Sequence, residues 1–286
     1  MKKISLIIVT YNSSNLIEDC LDSVFKFNDI GDGLEVIIVD NASKDQEQLF
    51  QLISDKYGNK VLLIDGKCNG GYGKGNNIGV SHSTGDILIV MNPDIRLTMP
   101  TFKTIIDVFS DENVGMIGVN FIDGSNPFYY KPEYLYVFNE LTLKYSIKRR
   151  KFNPQKMYMS GSLLGFTRRA YIECGGFDEN IFLYLEEPDI TNRIQKHGHD
   201  VKWCSDIYVH HLPHSIIFNS FTYSTLLESL KYYANKYNID IKKNIRTRIR
   251  YYKIKQLVSR ALNKKNKVTF FNEIINFYVN ELVKIQ

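Results

Sequence analysis

Residues 86–94, "DILIVMNPD", decide how the first half of this chain folds. A short unbroken apolar run closed by turn residues reads as a strand buried on both faces. The stretches "KVLLID" (60–65), "LEVIIVD" (34–40) and "ISLIIV" (4–9) have the same form. Between them, residues 14–27 and 45–56 carry apolar side chains at helical spacing, with Leu16, Ile17, Leu21, Val24 and Phe25 on one side of the first. Residues 98–110 read as a further helix and 114–122 as a further strand. Strands that alternate with helices predict an α/β fold, with a mixed, mainly parallel sheet covered by helices on both faces.

Ligands of such sheets bind beyond the carboxyl ends of the strands. Those ends here are uniformly polar: "VTYN", "VDNAS", "GKCNGGYGKGNNIG" and "MNPD". Asn, Asp, Ser and Gly are also turn formers, but four such ends in succession point to a binding site. The glycines of 69–79 leave backbone amides open to a phosphate or polar ring. A dinucleotide-binding oxidoreductase would carry its glycines directly after the first strand. Here they follow the third, which counts against that class. Asp94 closes a buried strand, where a carboxylate can hold a hard divalent cation against phosphate oxygens; the alternative is a plain Asn-Pro-Asp turn.

The segment "FLYLEEPDITNRI" (182–194) places two glutamates before a proline and a helix. Proline suits the first turn, and the helix dipole favours a carboxylate there. Glu187 is therefore a candidate general base at the lip of a pocket, or else a helix-entrance residue. Asp189 and Arg193 lie four apart and can pair.

Four scattered cysteines without a C-x-x-C pair suggest reduced thiols. "ISLIIV" is too short for a signal-peptide core, and no run approaches the ~18 apolar residues of a membrane span. A cytoplasmic location is the expectation. The net charge of +5 conceals an asymmetry: residues 219–286 carry 14 Lys and Arg against 4 Asp and Glu. That region reads as three helices, at about 222–238, 244–262 and 269–283, whose basic face suits either an anionic membrane or solvent. Residues 123–156 are irregular and include the basic run "KRRK".

Taken together, "VTYN", "VDNASKD", "NGGYGKGNNIG", "NPD", "SGSLLGFTRR", "GGFDENIFLYLEEPDITNRI" and "VHHLPHS" resemble family 2 glycosyltransferases of the GT-A fold. Their order is most similar to the rhamnosyltransferase-like branch that builds bacterial surface polysaccharides. The resemblance covers roughly residues 3–217 and leaves the basic tail aside.

The resemblance implies a Rossmann-like GT-A domain over 1–217, with a nucleotide-sugar half (1–122) and an acceptor half (123–217), followed by a helical extension (218–286). Thr10 and Asn12 would line the base pocket, and Asp40 would accept from a pyrimidine N–H. Asn69, Gly75 and Asn77 would lie along the nucleotide and sugar. Asp94 would bind Mg2+ or Mn2+ at the diphosphate, with Asn92 in place of the family's first aspartate. His210 would supply a second protein ligand, with His211 and His214 as competitors. Glu187 matches the catalytic base, while Glu186, Asp189 and Ser162 would shape the acceptor site or support the base. The implied reaction is transfer, with inversion, from dTDP-rhamnose or a UDP-hexose to a glycan acceptor, possibly lipid-diphosphate-linked. A galactosyl-, glucosyl- or N-acetylhexosaminyl-transferase of the same fold and a non-catalytic sugar-nucleotide-binding subunit are the alternatives. Nucleic-acid binding would leave the pocket motifs unexplained.

Overall fold

The computed structural model describes residues 3–213 and 218–285. The four apolar runs form β1 (Ile4–Thr10), β2 (Leu34–Asp40), β3 (Val61–Asp65) and β4 (Ile87–Met91), separated by α1 (Ser14–Lys26), α2 (Gln46–Tyr57) and α3 (Gly71–Ser81). A short strand β5 (Ile95–Leu97) then precedes α4 (Phe102–Val108) and β6 (Val114–Phe121). The helix expected over 98–110 is thus shorter, because Pro100 disfavours helical backbone in the residue before it.

The remaining elements are β7 (Phe128–Tyr130), α5 (Asn139–Lys148), β8 (Met157–Met159), β9 (Leu163–Thr167), α6 (Arg168–Glu173), α7 (Glu186–Lys196) and β10 (Asp200–His211). Eight strands pair in the order β3-β2-β1-β4-β9-β6-β10-β5, while β7 and β8 form a separate ribbon. Strands β1 to β4 run parallel, and β9 lies antiparallel between β4 and β6. Strand β10 is parallel to β6 and antiparallel to β5. The sheet is mixed, as expected for the GT-A architecture.

Alternation along β1 explains the layers, since successive side chains face opposite ways. Ile4, Leu6 and Ile8 join Ile17, Leu21, Val24, Leu49, Ile53, Phe102 and Ile105 in a core under α1, α2 and α4. Ile7 and Val9 face α3, where a Cβ on Gly79 or Gly75 would collide with them. The two glycines lie four apart and let α3 settle closely onto the sheet.

The chain divides into two compact units, residues 1–129 with 152–213, and residues 130–151 with 214–286. Residues 130–151, placed in the first unit by the sequence reading, therefore group with the C-terminal helices α8 (Ser220–Lys236), α9 (Ile241–Ala261) and α10 (Lys265–Lys284). The reason is local bonding that composition does not reveal. Asn244 donates to the Pro132 carbonyl at 2.8 Å, Tyr251 donates to Glu140 at 3.0 Å, and Lys255 pairs with Glu140 at 2.8 Å. Among the described residues no helix is long and apolar enough to cross a membrane.

Candidate active site

The carboxyl ends of β1 and β2 are knitted by Asp40. Its Oδ1 accepts from the Ser43 amide (2.7 Å) and Gln46 (3.0 Å), and its Oδ2 from Thr10 (2.9 Å) and the Ser43 hydroxyl (2.6 Å). A carboxylate has about four acceptor positions, and all are taken. Asp40 and Thr10 are both fully buried, and the Asp40 carboxylate braces the two loops. Asn12, at φ 49°, spans the same gap by accepting from the Lys44 amide at 3.0 Å. Tyr11, beside Asn12, is exposed.

Two of the residues expected along the donor, Gly75 and Asn77, lie on α3. Gly75 is buried against Val9 and Asn41 and faces the sheet. Asn77 spends its amide on the loop after α6: it donates to the Phe177 carbonyl (2.9 Å) and Glu179 (3.0 Å), and accepts from the Tyr171 hydroxyl (2.6 Å) and the Phe177 amide (3.0 Å). Asn69 is exposed and accepts from the Gly71 amide at 3.2 Å, capping the start of α3.

Asp94 sits in the turn between β4 and β5 and is nearly buried. Strand β10 returns beside it, with the Leu212 amide donating to the Asp94 carbonyl at 3.0 Å. His211 Nε2 lies 3.4 Å from Asp94 Oδ2, whereas His210 pairs with Arg96 in the ladder. Alternation turns those two histidines to opposite faces, so His211 replaces His210 as the imidazole beside Asp94. His214 lies outside the described residues. The Asp94 hydrogen bond raises the pKa of His211. Asn92 is tied to the opposite strand, its amide donating to the Ser162 carbonyl at 2.9 Å. Ser162 also lies 3.3 Å from the Ser160 hydroxyl.

That link between Asn92 and Ser162 brings in the acidic helix. Glu186 and Glu187 occupy the first turn of α7, after Tyr184 and Leu185, which both adopt left-handed backbone at φ 68° and 70°. Two consecutive residues without glycine's freedom in that region store strain. The neighbouring backbone holds them there: Tyr72 donates its amide to the Phe182 carbonyl at 3.1 Å, and a Cβ on Gly71 would strike the same group. The Glu187 carboxylate accepts from its own amide and from that of Gly161, where a Cβ would collide with it. Burial pushes Glu187 up to about 7 despite those bonds. Burial and the Glu187 charge hold Glu186 well above the ordinary range, and its Oε2 has no hydrogen-bond partner.

Asp189, expected near the acceptor, is fully buried and pairs with Arg193 at 2.7 Å. Arg193 also donates to the carbonyls of Cys174 (2.6 Å) and Gly176 (2.5 Å). Asp189 therefore fixes α7 to the preceding loop through Arg193.

Residues 5–175 match the profile of "Glycosyl transferase family 2", which is more than half of the chain. The chain belongs to glycosyl transferase family 2. It is 25% identical over 213 residues to the O-antigen chain rhamnosyltransferase RfbN of Salmonella typhimurium, covering 73% of this chain and 66% of that protein. It is 27% identical over 216 residues to the N-acetylglucosaminyl-diphospho-decaprenol L-rhamnosyltransferase of Mycobacterium tuberculosis, covering 64% and 68%. The matched stretch thus spans about two thirds of each relative's length. A solved structure of the mannosyltransferase PcManGT from Pyrobaculum calidifontis, in complex with GDP-Man and Mn2+, superposes with a TM-score of 0.61 at 18% identity. It covers 82% of this chain and 64% of that one, and shows the shared fold.

In this family 2 chain the sequence reading missed Tyr72. Its hydroxyl donates to the Gly161 carbonyl at 2.7 Å, and burial followed by Glu187, Glu186, Tyr171 and Asp94 raises its pKa well above the ordinary value. Three carboxylates thus bear electrostatically on one phenol. The available signal was a single large aromatic inside "NGGYGKG".

Proposed function

We propose that this chain is an inverting glycosyltransferase that moves a sugar from a nucleotide-diphosphate donor to a hydroxyl of a glycan acceptor. The observation that carries the reading is Glu187: a carboxylate held near neutrality, fixed by the Gly161 amide, one strand pair away from Asp94. A general base works best with a pKa near the operating pH. Glu187 accepts the proton of the acceptor hydroxyl as that oxygen attacks C1 of the donor sugar, while the diphosphate departs from the opposite face. One in-line displacement inverts the anomeric carbon and needs no covalent intermediate.

The residues present fit a divalent cation bound jointly with substrate. Asp94 and His211 offer one carboxylate and one imidazole, a mixed set that suits Mn2+ as well as Mg2+. Among the described residues no cluster of three or more such ligands exists, so donor oxygens and water would complete the shell. When bound, the cation supplies Lewis-acid stabilisation of the departing diphosphate.

The kinship with rhamnosyltransferases supports dTDP-rhamnose as donor, with UDP-hexoses as the alternative, and surface polysaccharide synthesis as the setting. A lipid-diphosphate-linked acceptor would bring the protein to the inner face of the plasma membrane. The test is a panel of nucleotide sugars incubated with the purified protein and Mn2+ or Mg2+, scored by nucleotide diphosphate release. Release from one donor, accelerated by acceptor, is expected. Failure of every donor and every nucleotide diphosphate to bind in calorimetry would refute the reading.

A further inference from the structure

The helical unit carries an exposed apolar surface. Helix α5 leaves Phe138, Leu141 and Tyr145 exposed, at spacings of three and four, and Leu141 keeps 68% of its surface in water. Helix α9 does the same with Ile254, Leu257, Val258 and Leu262. Those intervals put each set on one helical face. Helical stripes of this kind are ordinarily turned inward, and contiguous apolar patches on a soluble surface mark contact sites.

The two stripes meet. Phe138, Leu141, Ile254, Val258 and Leu262 line one groove of about 690 Å³, floored by Phe270 and Phe271. Its charged lining is Glu140 against four lysines, Lys144, Lys255, Lys264 and Lys267. Glu140 is itself neutralised by Lys144 at 3.2 Å and Lys255 at 2.8 Å. The exposed run Lys148–Lys151 follows directly on α5.

The charge of the whole unit agrees. Residues 130–151 and 214–286 carry 20 Lys and Arg against 6 Asp and Glu, a balance of +14, which leaves −9 for the other unit. Apolar and aromatic side chains ringed by lysines match a bilayer interface, where rings sit at headgroup depth and cations meet lipid phosphates. A second copy of this chain would bring a like-charged +14 surface against this one. An acidic protein would satisfy the lysines but not the exposed rings.

We propose that the α5–α9 face, with its lysine-rimmed groove, docks on an anionic phospholipid bilayer. Helix α9 lies along the headgroups, Phe138, Leu141 and Leu262 enter the acyl boundary, and Lys264 and Lys267 contact phosphates. The proposal rests on the lipid-linked acceptor for its purpose but not for its chemistry, so vesicle binding and sugar transfer fail separately.

The test is sedimentation of the full chain with phosphatidylcholine vesicles, with and without phosphatidylglycerol. Binding is expected only with the anionic lipid and should weaken as salt is raised. Lys264→Gln and Lys267→Gln should each reduce affinity about fivefold. Leu141→Ser with Leu262→Ser, both at exposed positions, should abolish binding while circular dichroism and donor binding stay unchanged. Equal binding to neutral vesicles, or wild-type binding by the serine variant, would overturn the proposal. So would a concentration-dependent dimer that those serines dissolve without any vesicle binding by the wild type.

Discussion

Tyr72 and Gly161 are joined by a 2.7 Å hydrogen bond from the phenol to the backbone carbonyl, and Gly161 donates its own amide to Glu187. Glu187, the proposed base, is therefore positioned through one residue of backbone by a tyrosine on a different element. Removing the hydroxyl in Tyr72→Phe keeps the edge-on ring contact with Phe177 and loses one hydrogen bond. A net bond of about 1 kcal/mol corresponds to a fall of roughly fivefold in kcat. The KM for donor should stay constant, and the acid limb of the pH–rate profile should move. Gly161→Ala should be far worse, by about a hundredfold, because its Cβ displaces the carboxylate itself.

The raised pKa of Glu187 has a consequence for stability. Below its ordinary value of 4.5 the group is protonated in both the folded and unfolded chain, and folding is unaffected. Between 4.5 and about 7 the unfolded chain ionises first, so stability falls as pH rises, and above about 7 the loss is complete. Glu187→Gln removes that loss. Thermal denaturation should show the variant unchanged at pH 4 and more stable than wild type at pH 8, by on the order of 2–3 kcal/mol.

The two histidines of β10 separate cleanly. His211→Ala should raise the Mn2+ concentration needed for half-maximal activity by roughly tenfold or more, as loss of a ligand or its support does. His210→Ala should leave it unchanged. Mn2+ titration by electron paramagnetic resonance, in the presence of nucleotide diphosphate, reads the difference directly.

Much of this was legible in the sequence. The runs 4–9, 34–40 and 86–94 announce strands through apolar residues buried on both faces, whereas 60–65 forms the half-exposed edge strand β3. The acidic pair announces itself by standing before a proline. Phase was not legible. Whether His210 or His211 turns toward Asp94 depends on the register of β10 against β5, a pairing about a hundred residues apart in sequence. Likewise "NGGYGKGNNIG" does not show that Gly75 faces the sheet against Val9 while Asn77 faces the loop after α6. Residues 130–151 join the helical unit through single bonds such as Asn244 to Pro132, which leave no trace in local composition.

Asn77 offers a check on its place in the fold. Its four hydrogen bonds hold the loop before α7, so Asn77→Ala should lower stability by about 2–4 kcal/mol in chemical denaturation. A raised donor KM with unchanged stability would instead return Asn77 to the donor site.

The most direct test of the central claim is the pH dependence of transfer, measured as kcat/KM for acceptor in wild type and Glu187→Gln. The account predicts an acid limb near pH 7 in the wild type. In the variant that limb should vanish and the rate fall by about 10²–10⁴-fold, with donor binding preserved. A variant that keeps the wild-type rate, or the same acid limb, would show that another group takes the proton.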